Sequence, residues 1–320
     1  MDKVVFLADR NSKAWDFAEK IQDYLQRERK VFVPLKEVSI SHFRNQEIEM
    51  HVPENLRRKE IYFIHDSSKN PQEWWVDLLL LKDLLLNSSA EGITLVLPDM
   101  FYSRKDRKEK PHVPISARTL ARSISYGLRR IITMDLHAVQ IQGFYPENVP
   151  LDNLYSFPAV VRYLKEKKPI ENLENLIVVS PDAGGVDRAR AFAQRLGLQY
   201  PIAFIEKRRV KPGEIKEMLL VGDVTNKDVL IIDDIMDSGN TVCHSAKLLR
   251  ENNAKKLYCY CTHGLFTCGT DKLLKNFDRI MTSNTHYQEN KNIEIIDVSQ
   301  IFAEAIYRAE EGLSISQLFE

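Results

Sequence analysis

The sequence predicts an α/β protein with mostly parallel sheets, and three observations predict it. Short apolar runs rich in β-branched residues recur throughout the 320 residues. Each run ends in a polar or acidic residue, and a helical pattern follows. Gly, Pro, Glu and Asn cluster once, at 143–152, and divide the series. Strands alternating with helices argue for parallel sheets. A chain of this length exceeds the usual single-domain size, so two domains are expected.

The runs are Val4–Leu7, Ile61–Ile64, Ile93–Leu97, Arg130–Met134, Leu176–Val179, Ile202–Ile205, Val229–Ile232, Leu257–Cys261 and Ile293–Ile296. Polar residues at the carboxyl ends of such strands are where open α/β sheets bind ligands. Among these ends are Asp135, His137, Asp182, Glu206, Lys207, Asp233, Asp234 and His263. The most apolar helix, Trp74–Leu86, is interrupted by Asp77, Lys82 and Asp83 and is too short to span a bilayer. The break predicts a first domain over 1–149 and a second, of similar build, over 150–302. Ser299–Arg308 reads as a helix, and the segment 303–320 is expected to return to the first domain.

Lys plus Arg equals Asp plus Glu at 45 each, so no global charge favours nucleic acid or an acidic membrane. The N-terminus enters a strand directly and is no signal peptide. Four cysteines in a chain this long make no disulfide framework. Cys259 and Cys261 share one face of a strand ahead of His263; buried strand cysteines are favoured over a zinc site. A soluble, reduced, cytoplasmic protein is expected.

The stretch from Val229 to Val242 is the most informative. Asp233 and Asp234 sit where a buried strand should end. Asp237, Ser238, Gly239, Asn240 and Thr241 form a polar turn before an amphipathic helix. A turn rich in N–H groups at a helix N-terminus cradles anions. Adjacent carboxylates hold ribose hydroxyls or a metal ion instead. The pattern asks for a ligand with a phosphate at one end and a sugar at the other.

Four further segments carry chemistry. Asp135-Leu136-His137 offers an imidazole to a divalent metal or a phosphate oxygen. Ser180–Val186 offers Asp182 to magnesium, with Gly184 and Gly185 allowing close backbone approach. Arg188 and Arg190 follow on a helix, and one of them reads as a solvated charge. Glu206–Glu214 reads as a long mobile loop carrying Lys207, Arg208 and Arg209, a cationic lid that arrives only with substrate. Phe101–Lys108 holds Arg104, suited to a nucleotide phosphate, and Asp106.

Together these motifs resemble the ribose-phosphate pyrophosphokinase family over nearly the whole chain. The resemblance runs from Phe43–Glu47 through Asp135–Tyr145, Ser180–Arg190, Glu206–Asp223 and Asp233–Thr241 to Gly264–Phe266 and Thr282–Thr285. It implies two phosphoribosyltransferase-type domains, magnesium, and transfer of the β,γ-diphosphoryl group of ATP to ribose 5-phosphate. It also implies the roles. Asp233, Asp234, Asp237, Ser238, Gly239, Asn240 and Thr241 hold ribose 5-phosphate. Lys207 and Arg209 are catalytic. His137 and Asp182 position the metal. Phe43, Asn45, Glu47, Arg104, Lys105 and Asp106 bind the nucleotide. Phe43–Glu47 matches a loop that serves a neighbouring subunit, so a dimer-based homo-oligomer, such as a hexamer, is implied.

Three departures fall in the nucleotide half. Asn45 replaces an expected acid, Lys105 an expected amide, and Asp9-Arg10-Asn11-Ser12 an expected Asn-Ala-Thr or Asn-Ala-Ser. The ribose-phosphate half is nearly intact. Two other readings are a phosphoribosyltransferase, which predicts one domain and no lid, and a non-catalytic relative, which predicts loss of a site residue.

Overall fold

The computed structural model describes residues 1, 3–198, 202–211 and 214–319, and only the backbone at 208–211 and 214–217. It divides into two compact units, one of residues 1–156, 285–287 and 298–320, the other of 157–284 and 288–297. Each contains one seven-stranded sheet.

The first unit is built from β1 (Val4–Asp9), α1 (Lys13–Tyr24), β2 (Leu35–His42), β3 (Ile48–His51), β4 (Glu60–Ile64), α2 (Pro71–Asn87), β5 (Gly92–Leu97), α3 (Ser116–Ile124), β6 (Arg130–Met134) and β7 (Leu151–Leu154). The strand order is β3-β2-β1-β4-β5-β6-β7, parallel except for the β2–β3 edge hairpin. Helix α1 starts where Ser12 accepts from the Ala14 N–H, and Ala14, Phe17, Ala18 and Ile21 form its buried stripe. Helix α2 starts at Asn70, which caps the Gln72 N–H, with Pro71 in the first turn. Strands β1, β4 and β5 are buried almost throughout, as central strands covered on both faces must be.

The second unit comprises α4 (Phe157–Lys167), β8 (Leu176–Ser180), α5 (Val186–Leu196), β9 (Ala203–Lys211), β10 (Glu214–Val221), β11 (Asp228–Met236), α6 (Asn240–Glu251), β12 (Leu257–Gly264), α7 (Asp271–Leu274), β13 (Arg279–Ser283) and β14 (Glu294–Ile296). Its order, β10-β9-β8-β11-β12-β13-β14, repeats that of the first sheet position for position, including the antiparallel edge pair. Helix α8 (Ser299–Glu310) belongs to the first unit, where Phe302 meets Phe17 edge-on at 5.4 Å. Glu304 there takes a bidentate pair of 2.7 Å bonds from Arg29. Among the described residues no helix is long and apolar enough to cross a membrane.

Two expectations change. The segment 206–214 is not a long loop: β9 and β10 pair as a hairpin, with Lys211 opposite Glu214. The two residues between them, Pro212 and Gly213, lie outside the described residues. A two-residue connection between runs of β-formers is a hairpin signal, and charge on an edge hairpin is ordinary. Strand β11 also runs on through Asp233 and Asp234 to Met236, because its neighbour β12 pairs with it as far as Gly264.

Candidate active site

In the second unit, β11 carries Asp233 and Asp234 out of the sheet side by side. The Asp234 N–H donates to Asp233 Oδ1 at 3.0 Å. Helix α5 supplies the countercharge. Arg188 Nη1 donates to Asp234 Oδ1 at 3.0 Å and lies 3.9 Å from Asp233 Oδ1. Asp234 is buried, while a fifth of the Asp233 side chain reaches solvent. Burial, and then the neighbouring Asp234 charge, push the Asp233 carboxyl well above the usual carboxylate range despite Arg188. A carboxylate held this way gains from any hydroxyl donor or cation that comes to it.

Arg190 bonds Asp187 at the surface, so Arg188 is the arginine that the site uses. The sequence offered both without distinguishing them. Only the turn before α5 settles which faces β11. That turn is set by Asp182, whose Oδ1 accepts from the Gly185 N–H at 3.2 Å. A Cβ on Gly185 would lie 2.6 Å from Ser180 Oγ, so this glycine serves the fit of the turn against β8. Gly184 meets only Asp182 Oδ1, at 3.4 Å.

Asp182 also meets Lys207. The ammonium of Lys207, on β9, lies 3.3 Å from Asp182 Oδ2. The expected lid cation and the expected metal ligand thus neutralise each other. The lysine is nearly covered, with 9% of its side chain exposed, whereas Asp182 remains 48% exposed. The side chain of Arg209 lies outside the described residues; its backbone pairs with Ile215.

Beyond β11 the chain turns through Asp237–Gly239 into α6. Gly239 has φ 70°, and a Cβ there would crowd the Leu273 side chain at 3.0 Å. Asp237 Oδ1 accepts from Thr267 Oγ1 at 2.5 Å, and its carbonyl accepts from the Thr267 N–H. Asn240 Oδ1 accepts from Lys272 Nζ at 2.6 Å. Both side chains therefore brace the turn, and the Asn240 N–H donates to Ser238 Oγ at 3.4 Å.

In the first unit, His137 is exposed just past β6. Gln140, three residues on, donates to Asp106 Oδ2 at 2.6 Å, so the His137 turn and the Arg104–Asp106 loop are tied together. Lys105 is paired with Glu109 at 2.6 Å. Phe43, Asn45 and Glu47 lie at the exposed tip of the β2–β3 hairpin. Asn45 Oδ1 accepts the Glu47 N–H at 3.3 Å, which closes the hairpin tip.

Residues 7–126 match the family described as the N-terminal domain of ribose phosphate pyrophosphokinase. Residues 203–320 match the phosphoribosyl synthetase-associated domain. The chain is 40% identical over 312 residues to the ribose-phosphate pyrophosphokinase of Rhizobium meliloti (strain 1021), covering 95% of this chain and 96% of that one. It is 38% identical over 311 residues to the protein of the same name from Cereibacter sphaeroides (strain KD131 / KCTC 12085), covering 95% and 91%. Its fold is similar to the crystal structure of phosphoribosylpyrophosphate synthetase from Mycobacterium smegmatis, with a TM-score of 0.85 at 28% identity over 97% of this chain and 99% of that one.

Proposed function

The chain belongs to the ribose-phosphate pyrophosphokinase family, and on that premise we propose that it transfers the β,γ-diphosphoryl group of ATP to the anomeric hydroxyl of ribose 5-phosphate. The products are phosphoribosyl pyrophosphate and AMP. One observation carries the acceptor side: two adjacent carboxylates, Asp233 and Asp234, stand near the end of β11 ahead of the α6 N-terminus, and one arginine, Arg188, reaches both. The carboxylates accept from ribose hydroxyls. Ser238, Thr241 and the first amides of α6 take the 5-phosphate, and Asp237, Gly239 and Asn240 shape that turn.

The anomeric oxygen attacks the β-phosphorus of ATP. The bond from that phosphorus to the α,β-bridging oxygen breaks, the oxygen leaves with AMP, and the hydroxyl proton passes to solvent. In loose phosphoryl-transfer transition states the protein contributes mainly positioned charge. Lys207 leaves Asp182 for the transferred diphosphoryl group, and Arg209 joins it. Arg104, Lys105 and Asp106 hold the nucleotide beside His137, and Phe43, Asn45 and Glu47 serve the base of a nucleotide on a neighbouring subunit in a dimer-based homo-oligomer.

Magnesium is the proposed cofactor, and the chemistry of the two expected ligands, a carboxylate and an imidazole, suits it. Asp182 in the second unit is a half-exposed carboxylate and His137 in the first an exposed imidazole, and each would offer one ligand to an ion that keeps most of its waters. When bound, magnesium would neutralise charge on the phosphate oxygens. Action on these small metabolites suits the cytoplasm.

The test is direct. Purified protein with ribose 5-phosphate, magnesium and a panel of nucleoside triphosphates should yield phosphoribosyl pyrophosphate and a nucleoside monophosphate. Folded protein that transfers no diphosphoryl group from any of them would overturn the proposal.

A further inference from the structure

His137 is presented by a backbone that an L-residue seldom adopts. Asp135, the residue that leaves β6, has φ 41°. Left-handed conformations at residues other than glycine are strained and persist where their surroundings over-determine them. The edge strand β7 and the residues after it do so here. The Asp135 N–H donates to Leu154 O at 2.8 Å, and the Ser156 N–H donates to Asp135 Oδ2 at 3.2 Å. Between these, the Leu136 N–H donates to Asn153 Oδ1 at 3.0 Å.

The second sheet shows which of these bonds the fold needs. There the exit of β13 is held to β14 by the same kind of backbone bond, Asn284 N–H to Ile296 O at 3.2 Å. The registers make Thr133 opposite Asn153 in one sheet equivalent to Thr282 opposite Ile295 in the other. Ile295 has no polar side chain, yet β13 and β14 pair. The Asn153 acceptor is therefore additional to what this strand pair requires. Its amide nitrogen is buried without a partner among the described residues, as is the hydroxyl of Thr133 beside it. An asparagine kept in such surroundings is kept for its carbonyl, because a flipped amide would face the Leu136 N–H with another donor.

We propose that Asn153 is a positioning residue: its Oδ1, by holding the Leu136 N–H, fixes the kink that presents His137 to a divalent cation and the nucleotide phosphates. The inference rests on the reading of His137 given above. Partners that orient a ligand from outside the coordination sphere typically change metal affinity by about 10- to 100-fold when removed.

The test compares Asn153→Leu, Asn153→Asp and His137→Ala in the full chain. The measurements are Mn2+ binding with a non-hydrolysable ATP analogue by electron paramagnetic resonance, hydrogen exchange at the Leu136 amide, and steady-state kinetics. Asn153→Leu should weaken Mn2+ binding about tenfold or more, deprotect Leu136, and lower kcat while the KM for ribose 5-phosphate stays within about twofold. Asn153→Asp, which keeps the acceptor, should restore both Leu136 protection and Mn2+ affinity. Wild-type Mn2+ affinity in Asn153→Leu with a deprotected Leu136 overturns the proposal. So does weakened binding in Asn153→Leu but not in His137→Ala. Should Asn153→Leu not fold, Asn153→Ala is held to the same outcomes. Mn2+ binding that depends on both residues in a protein making no phosphoribosyl pyrophosphate would overturn the function and leave this inference standing.

Discussion

The two sheets share one strand order, and in each a lysine meets the aspartate at the exit of the third strand of that order, though the lysine comes from the strand on one side in the second unit and from the loop on the other side in the first. In the second unit Lys207 lies 3.3 Å from Asp182, which is half exposed. In the first, Lys69 lies 3.6 Å from Asp9 but only 2.8 Å from Asp77, whose side chain is 1% exposed. Strand β4 occupies the position of β11, and the loop after it is filled from within. His65 stacks on Trp74 at 5.6 Å, and burial with the Lys69 cation holds its imidazole down at about 3. Burial likewise raises the Asp77 carboxyl, which Lys69 only partly offsets. One scaffold thus carries a closed ion cluster at one strand exit and a half-exposed one at the other. The difference lies in where the second carboxylate sits. Asp77 is inside a helix–sheet seam. Asp233, near the end of β11, keeps a fifth of its side chain in solvent.

Substitutions can break this comparison, and the largest effect belongs to the half-exposed site. Asp233→Asn with Asp234→Asn should lower kcat/KM for ribose 5-phosphate by about a thousandfold or more, the scale of losing several charge-assisted bonds at once. Unchanged kinetics would remove the carboxylate pair from the reaction. Next, Lys69→Met should destabilise the first unit by about 3–5 kcal/mol, since it strands a buried charge, and Asp77→Leu added to it should recover much of the loss. Chemical denaturation measures both, and an unaltered midpoint in the single variant would mean that the cluster is not closed in the sense argued.

Lys207→Ala should cut kcat by about 100- to 1,000-fold with little change in the KM for ribose 5-phosphate, as when one transition-state donor is removed. A KM effect alone would make Lys207 a binding group instead. The smallest effect is on stability. The Asp233 carboxyl is raised above its ordinary 3.8. Between that value and its raised one, the folded chain keeps a proton that the unfolded chain has lost. Asp233 therefore costs stability as pH rises through this window, and the cost is constant above it. Asp233→Asn should flatten that slope and slightly raise the melting temperature at neutral pH. A variant less stable than its parent at neutral pH would contradict the direction.

The central strands were legible because they are built on apolar runs, as in Leu176–Val179 and Val229–Ile232. The unread strands are mostly at or near the edges. Leu151-Asp152-Asn153-Leu154 and Ile48-Glu49-Met50-His51 mix polar and apolar residues because an edge strand faces solvent along one side. Their pairing is decided by a neighbour far away in the sequence. The acidic loop and its helix were legible because local chemistry writes them. Arg188 was not, since its choice over Arg190 depends on how α5 rotates against β8. Nor was the Lys207–Asp182 pair, which joins residues 25 apart across two strands.

Helix α8 carries a consequence for synthesis. Phe302, Ala305 and Ile306 are fully buried in the first unit, and Glu310 accepts from the Tyr62 hydroxyl at 2.6 Å. The surface of α1 and β7 that the helix covers, with the Tyr62 hydroxyl of β4, therefore stays bare until residues 299–310 have been made, after every strand of the second sheet. The half that is translated first is completed last. A chain truncated before residue 299 would hold every strand of the second sheet and an open first unit, and a chaperone that binds exposed apolar surface should prefer the earlier half.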